Sequence, residues 1–267
     1  MNLYGQRWLK NTGSAQAEMN GHTITIERDT SRELRNSNAE FSMSLPVGRF
    51  HELPKRSGSI AIVAGGPSLK SSMKQIKALT CPIIACGSAH DHLRSQGIPL
   101  AYAVVYDPLP VQADYFKHPH PACTYIVSST CDHAVFDALQ DSHVRLWHPA
   151  GEVDDDVLGD ELRFIVGGGA TVTLRAIALA VIMGYNDIHL YGFDSSFAGD
   201  DHAYKLMDSD PALGDPIDLS IHGRHFTTTV PLLAQAQQFM QIKDRFPGYT
   251  CTVHGNGMIA EMMRVNP

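Results

Sequence analysis

The chain has 267 residues, a formal net charge of -7 and 43% hydrophobic residues. This length suffices for one large α/β domain, and the acidic balance without a long basic run argues against a general nucleic-acid binder. The first residues lack the apolar core of a signal peptide, and the longest apolar helix pattern, around 176–183, is too short for a bilayer span. Its five cysteines form no CxxC pair. We therefore expect a cytoplasmic protein with reduced thiols and without a membrane span.

The first 57 residues are more polar than the rest of the chain. Two segments within them, GHTITIERD (21–29) and AEFSMSL (39–45), alternate apolar and polar residues, which favours short strands that pair as one hairpin. The pattern predicts a β-rich N-terminal extension (1–57) packed on a main domain (58–267).

From Ser59 onward, apolar strand patterns alternate with helix patterns. This alternation predicts a doubly wound α/β domain with a mainly parallel, Rossmann-like sheet, whose ligands would collect at the carboxyl ends of the strands. The predicted strands are SIAIVAG, PIIACG, LAYAVVYD, TYIVSST, HVRLWH, ELRFIVGG, DIHLYGFD and YTCTVHG. The predicted helices span residues 69–79, 89–96, 133–139, 171–183, 231–245 and 258–264.

The first of these strands ends in a glycine turn. Gly65 and Gly66 permit a tight bend or a close approach to a ligand, and Pro67 suits the first turn of a helix. The free N–H groups near Ser68 would then bind an anion. An ordinary strand-to-helix turn explains these residues equally well.

A second glycine turn precedes the long apolar helix. Gly168 and Gly169 lie in a run of three glycines, and Ala170 and Thr171 open the helix. Close packing of the helix on the sheet would usually need only one glycine, so we favour a contact with a phosphate or a ribose.

Acidic residues follow two other strands. Asp107 comes directly after a buried strand, where it caps a turn or contacts a substrate hydroxyl or a cation. Asp194 ends another strand and is a candidate magnesium ligand, whereas Asp200 and Asp201 fit a solvated loop better.

The segment IHGRHFTTTV precedes a predicted helix and combines histidine with arginine. His225 is the candidate general acid or base, and Arg224 the candidate partner of a phosphate. His222 lies further out in the same segment. Five further histidines, His118, His120, His143, His148 and His189, are interpreted as surface or core residues.

Taken in order, the motifs AGGPSL, YDP, GGGAT, MGYNDIHLYGFD and HAY resemble those of the 6-hydroxymethylpterin diphosphokinase MptE-like family, which includes an archaeal pterin enzyme and flagellin-glycosylation proteins. The same order is similar to bacterial CMP-sialic-acid-dependent sialyltransferases. The resemblance covers about residues 59–265 and leaves the extension unexplained.

The resemblance implies roles for the glycine turns and for one histidine. Residues 65–68 would surround the phosphates or ribose of a nucleotide, and residues 168–171 would face its phosphate or base. His225 falls where the sialyltransferases have their catalytic histidine, and Thr229 keeps the spacing to a following threonine. Asp107 and Gly87 replace asparagines of the sialyltransferases, and Asp107 brings the chain closer to the pterin-kinase-like branch. Tyr204 alone matches their paired tyrosines.

Three functions follow from these residues and this resemblance. The first is a transferase with a nucleotide-activated donor, a glycosyltransferase that uses a CMP-sugar-like molecule. The second is a magnesium-dependent pyrophosphokinase that uses ATP and a hydroxymethylpterin-like acceptor, with Asp107 and Asp194 as metal ligands. The third is a non-catalytic nucleotide-binding protein. A small-molecule or glycan acceptor and a homo-oligomer are the expected partners.

Overall fold

An eight-stranded, wholly parallel sheet forms the centre of the computed structural model, which describes residues 15–19, 21–26, 30–198, 214–243 and 248–264. In spatial order its strands are β12 (Thr250–Val253), β9 (Asp187–Tyr191), β4 (Ser59–Val63), β5 (Ile83–Cys86), β6 (Tyr102–Val105), β7 (Thr124–Ser128), β8 (His143–Trp147) and β3 (Gly48–Arg49). The α/β fold with a mainly parallel sheet is thus confirmed.

Helices cover both faces of this sheet. They are α1 (Arg32–Ser44), α2 (Leu69–Lys77), α3 (Ala89–Ser95), α4 (His133–Ala138), α5 (Asp155–Leu158), α6 (Val172–Met183), α7 (Val230–Lys243) and α8 (Met258–Met262). Along β4, Ile60 and Ile62 join one core and Ala61 and Val63 join the other. This alternation places a hydrophobic core on each side of the strand. Among the described residues, the structure contains no helix long and apolar enough to cross a membrane.

The N-terminal segment contains a hairpin, but one of its predicted strands is wrong. Strands β1 (Ala15–Met19) and β2 (His22–Ile26) pair antiparallel, whereas residues 39–45 fall mostly in α1. Ser31 caps α1 by accepting a hydrogen bond from the Leu34 N–H group. The side chains that α1 buries are mostly polar, so hydrophobic periodicity does not mark this helix. The segment also supplies β3, an edge strand of the main sheet.

The predicted strand ELRFIVGG is also wrong. Residues Gly159–Phe164 form a 3-10 helix, and Val166 makes only an isolated bridge to Pro149. Because β3 already pairs with β8, this segment meets the edge of the sheet only beyond the end of β8.

A second hairpin was not expected from the sequence. Strands β10 (Pro216–Ile221) and β11 (Arg224–Thr229) pair antiparallel outside the main sheet. His222 and Gly223 connect them with φ angles of 49° and 78°. Two successive positive φ angles are the geometry of a two-residue type I′ turn.

Candidate active-site cleft

The order of the strands reverses between β4 and β9. From β4 the chain adds β5, β6, β7 and β8 on one side, and it then returns to place β9 on the other side. Ligands of open parallel sheets bind at such a switch point, outside the carboxyl ends of the strands.

An open cleft of about 180 Å³ lies at this point. Its walls are the turn after β4, the segment after β9, one residue each from the loop before α3 and from α6, and two residues from α7. The lining residues are Ala64, Gly65, Gly66, Pro67, Ser88, Thr173, Gly192, Phe193, Asp194, Ser195, Ser196, Phe197, Leu232 and Gln235. Among these residues there is no lysine or arginine, and Asp194 supplies the one carboxylate.

The turn after β4 is held against the end of β9. The Gly66 N–H group donates to the Gly192 carbonyl oxygen at 2.8 Å. A Cβ atom on Gly66 would lie 2.5 Å from that same oxygen and 2.5 Å from Oδ2 of Asp194. Glycine is therefore required at position 66 by close approach to the neighbouring strand end. The turn brings Gly65 and Pro67 into the wall of the cleft.

An internal carboxylate occupies the start of α2. Asp194 is only 4% exposed, and its Oδ2 accepts a hydrogen bond from the Ser68 N–H group at 2.8 Å. Burial raises the pKa of Asp194, whereas the N–H groups of Ser68 and Gly257 act in the opposite direction. The sequence predicted a bound anion at this helix start, and the side chain of Asp194 takes that position.

The segment after β9 carries hydroxyl groups that the sequence analysis did not single out. Ser195 has a φ angle of 53°, and its Oγ accepts a hydrogen bond from Nε2 of Gln235 at 2.7 Å. The Oγ atom of Ser196 accepts from the Met258 N–H group at 3.1 Å. A left-handed non-glycine residue beside a cleft is typical of a functional site. Gln235 left no signal in the sequence, because one glutamine within a helix is ordinary.

The triple-glycine turn packs on its own helix. A Cβ atom on Gly168, whose φ angle is 149°, would lie 2.9 Å from Cδ of Arg175. A Cβ atom on Gly169 would overlap Cδ1 of Leu174. Both glycines are buried, so close packing accounts for them without a ligand.

The residues after these glycines begin α6 beside the cleft. The Ala170 N–H group donates to Oε1 of Gln238 at 2.9 Å, and Thr171 is the N-cap residue. The first residue of this stretch that lines the cleft is Thr173.

Asp107 and Asp194 are not brought together. Oδ1 of Asp107 accepts a hydrogen bond from the Leu109 N–H group at 2.9 Å, which closes the turn after β6. Strands β6 and β9 are three inter-strand spacings apart, about 14 Å. Among the described residues, no group of three His, Cys, Asp or Glu side chains is arranged to hold a metal ion.

Arg224 and His225 lie on the hairpin. The guanidinium of Arg224 pairs with the carboxylate of Glu261, donates to the Asn256 carbonyl oxygen at 3.1 Å and lies 5.0 Å from the Phe226 ring centre. These contacts attach the hairpin to α8, so a phosphate would have to compete with Glu261 for Arg224. His225 is exposed.

His225 nevertheless lies near one wall of the cleft. It is two residues from Thr227, whose carbonyl oxygen accepts a hydrogen bond at 2.8 Å from the N–H group of Phe197, a lining residue. Two residues of a strand span about 7 Å. Tyr204, Asp200 and Asp201 lie outside the described residues.

The other half of the same sheet edge is closed by α1. Its buried polar side chains donate hydrogen bonds to carbonyl oxygens that follow β7 and β8. These bonds join Arg35 to Glu152 (3.2 Å), Asn38 to Thr130 (2.9 Å) and Ser42 to Ser129 (3.0 Å). The polar face of α1 is therefore explained by the strand ends that it covers.

A buried ion pair lies within this closed half. Arg175 and Glu152 are fully buried, and Nη2 of Arg175 lies 2.7 Å from Oε1 of Glu152. The Tyr106 hydroxyl contacts the same carboxylate, and the guanidinium lies 6.0 Å from the Trp147 ring centre. The strand-end residues of this half are thus engaged with one another.

Comparisons with known proteins agree with the fold. A search of curated proteins finds no match. Among solved structures, the chain is similar to that of the MAf glycosyltransferase from Magnetospirillum magneticum AMB-1, with a TM-score of 0.64 and 18% identity over 84% of this chain and 37% of that one. This chain thus spans little more than a third of that protein's length.

A family profile matches residues 33–200, more than half of the chain. The match includes the turn after β4, β9 and the segment up to Phe197, and it ends before Arg224 and His225. The family and the structural neighbour are both named for transferases. The resemblance noted in the sequence is confirmed: the chain belongs to the 6-hydroxymethylpterin diphosphokinase MptE-like family.

Proposed function

We propose that this protein is a transferase that binds a nucleotide-activated donor in the cleft between β4 and β9, and that the donor is a CMP-sugar-like molecule. The observation that carries the proposal is the position of the cleft at the switch point of a parallel sheet. The similarity to a glycosyltransferase structure supports the glycosyl donor.

The chemistry of the cleft favours the nucleoside end of such a donor. Ser88, Thr173 and Ser195 supply hydroxyl groups, and Gln235 supplies an amide. Hydroxyl and amide groups are suited to the hydroxyls of a ribose and to the polar edge of a base. With no cationic side chain among the described lining residues, we assign the nucleoside to the cleft and the phosphate to its mouth.

We propose His225 as the general acid or base on the acceptor side. The hydrogen bond between Thr227 and Phe197 holds β11 against the cleft wall, and His225 is the exposed histidine two residues away. In this arrangement the imidazole would take the proton of the acceptor hydroxyl as its oxygen bonds to the sugar, while the sugar–phosphate bond of the donor breaks and CMP leaves. Arg224 would act by holding the hairpin to α8 through Glu261.

The family to which the chain belongs favours a second candidate, pyrophosphoryl transfer from ATP to a hydroxymethyl group. In that reaction a magnesium ion would neutralise charge on the phosphates. The described residues do not fit one ion shared by Asp107 and Asp194, because the two strands are about 14 Å apart and Asp194 accepts the Ser68 N–H group.

A thermal-shift screen of CMP, CMP-sugars and ATP, each with and without magnesium, tests the proposal. A ligand at 100 times its dissociation constant stabilises the protein by about 2.7 kcal/mol. We expect stabilisation by CMP and CMP-sugars that does not depend on magnesium. If ATP together with magnesium is the only ligand that stabilises the protein, the pyrophosphokinase proposal replaces the glycosyltransferase proposal.

A turnover assay follows for any ligand that binds. Release of CMP from the donor in the presence of glycan acceptors would support a transferase. Tight binding without consumption of any donor would favour a nucleotide-binding protein without catalysis.

A further inference from the structure

Three glutamines on α7 use their side-chain amides in different ways. Gln237 is fully engaged with the N-terminal hairpin: its Oε1 accepts from the Glu18 N–H group at 2.8 Å, and its Nε2 donates to the Glu18 carbonyl oxygen at 2.7 Å. Oε1 of Gln238 accepts a backbone N–H group at the start of α6. Gln235 lines the cleft and donates from Nε2 to Oγ of Ser195 at 2.7 Å. Because its Oε1 has no hydrogen-bond partner among the described residues, Gln235 keeps an open acceptor in the cleft wall.

The hydroxyl of Ser195 supplies the matching donor. Its Oγ accepts the hydrogen bond from Gln235, so its own proton is available, and no residue in the described part of the chain accepts that proton. The backbone of Ser195 is held at a φ angle of 53°, since the hydroxyl of the fully buried Thr228 donates to the Ser195 carbonyl oxygen at 2.7 Å. A donor and an acceptor are therefore fixed one hydrogen bond apart.

Apolar side chains lie on the same two elements as this pair. Phe197 follows Ser195 by two residues. Leu232 precedes Gln235 by about one helical turn, which puts these two side chains on one face of α7. Phe197 and Leu232 are half-buried and line the cleft, whereas Phe193 is 2% exposed and packs edge-on in the core. This side of the cleft thus combines apolar surface with one open donor and one open acceptor.

A nucleobase matches this combination of groups. Its two faces stack on aromatic and aliphatic side chains, and its edge carries hydrogen-bond donors and acceptors. A ribose offers hydroxyl groups without a flat apolar face. The base of a bound nucleotide, rather than its ribose, therefore fits the side of the cleft formed by Phe197 and Leu232.

We propose that Gln235 determines the nucleobase of the donor, with its Oε1 accepting from the exocyclic amino group of cytosine and the Ser195 hydroxyl donating to the neighbouring ring nitrogen N3. This inference rests on the proposed nucleotide-binding function of the cleft. The amino group of cytosine is a donor and N3 is an acceptor, so this edge complements the pair formed by Gln235 and Ser195. Gln235 acts here in recognition of the base and takes no part in making or breaking bonds.

A cycle of two ligands and two proteins tests the contact with the amino group. The ligands are CMP and the analogue of CMP in which a hydrogen replaces the 4-amino group, and the proteins are the wild type and Gln235→Leu. We expect calorimetric titration to show that the wild type binds CMP about tenfold more tightly than the analogue, because the analogue leaves Oε1 unpaired. Gln235→Leu should bind both ligands with equal affinity. A preference for CMP in Gln235→Leu as large as that of the wild type would overturn the proposal.

Gln235→Glu separates recognition of the base from support of Ser195. A carboxylate accepts from the amino group of cytosine but cannot donate to Oγ of Ser195. We therefore expect Gln235→Glu to keep a preference for CMP over the analogue. If Gln235 only held Ser195 in place, the Leu and Glu variants would weaken both ligands by the same factor, which would overturn the proposal. Gln241→Glu, at an exposed position on α7, is the matched control and should leave both affinities unchanged.

The wild type separates a failure of this inference from a failure of the proposed function. If the wild type binds neither CMP nor CMP-sugars, the CMP-sugar donor and the role of Gln235 both fail. If the wild type binds CMP and the analogue equally well, the role of Gln235 alone fails and the cleft remains the nucleotide site. This comparison needs no variant, so it decides the question even where Gln235→Leu does not fold.

Discussion

The two halves of the carboxyl edge of the sheet differ although both end in glycine, acidic and hydroxyl residues. At β4 and β9 the strand ends leave a cleft, and the polar groups line it. At β6, β7 and β8 the corresponding groups bond to α1 or to one another. Residue type at a strand end therefore does not predict a binding site by itself. Whether a strand end forms a binding site depends on whether another element of the chain already forms hydrogen bonds with its polar groups.

The largest expected effect lies in the open half and is the effect of a histidine substitution on turnover. His225→Ala should lower turnover of the proposed donor by roughly 10²–10⁴-fold with little change in nucleotide affinity, because a general acid or base acts in the transition state. Steady-state kinetics and calorimetric titration measure the two quantities. His222→Asn, at a left-handed turn position that asparagine tolerates, is the matched control. Equal effects of both changes would remove His225 from the mechanism.

The sequence predicts most of the scaffold and part of the lining of the candidate cleft. The strands from β4 to β9, together with β12, and six helices were predictable, because their apolar runs and caps are local signals. The cleft wall formed by Gly65, Gly66 and Pro67 was predictable for the same reason. Helix α1 was not, since its buried face is polar, and neither was Gln235, which reaches the cleft only through the packing of α7.

The sequence also does not predict which residue each of these side chains and glycines contacts in the folded chain. Nothing local indicates that Asp194 caps the start of α2, that Glu261 binds Arg224, or that Gly168 packs against Arg175. These contacts join residues that are far apart in the chain or depend on the exact path of a turn. The sequence therefore predicted ligands at positions where the folded chain supplies its own partner.

In the closed half, the main effect of a substitution should be on stability. Glu152→Gln leaves the buried guanidinium of Arg175 without its counter-charge, which should cost about 3–5 kcal/mol of unfolding free energy. Urea unfolding at pH 7 measures it. Asp114→Asn, which breaks an exposed pair with Lys117, should cost less than about 1 kcal/mol. Similar small losses in both would mean that the Arg175–Glu152 pair contributes little.

The closed half should also make stability depend on pH. Burial lowers the pKa of His148 from 6.5 to about 4. Between pH 6.5 and pH 4 the unfolded chain binds more protons than the folded chain. The contribution of the neutral, buried His148 to the unfolding free energy is therefore complete above pH 6.5. It is lost as the pH falls toward 4, by about 3 kcal/mol in all. Denaturant unfolding across this range should show a flatter slope for His148→Gln and an unchanged slope for the exposed His143→Gln. An unchanged slope in His148→Gln would contradict the assignment.

A pair of glycine substitutions compares the two glycine turns, with a smaller expected effect. Gly66→Ala and Gly169→Ala each force a close contact and should each cost about 1–3 kcal/mol of stability. Only Gly66→Ala should also weaken binding of CMP, because only Gly66 lines the cleft. Calorimetric titration of each folded variant measures the affinity. Weaker binding in Gly169→Ala alone would restore the triple-glycine turn as the nucleotide site.

Binding of the nucleotide at the switch point between β4 and β9 is tested most directly by backbone amide NMR during titration with CMP. We expect the largest shift changes at residues 64–66 and 192–197, with small changes at residues 107–109, 129–130 and 167–171. The largest changes in that second set would place the ligand outside the cleft and would contradict binding at the switch point.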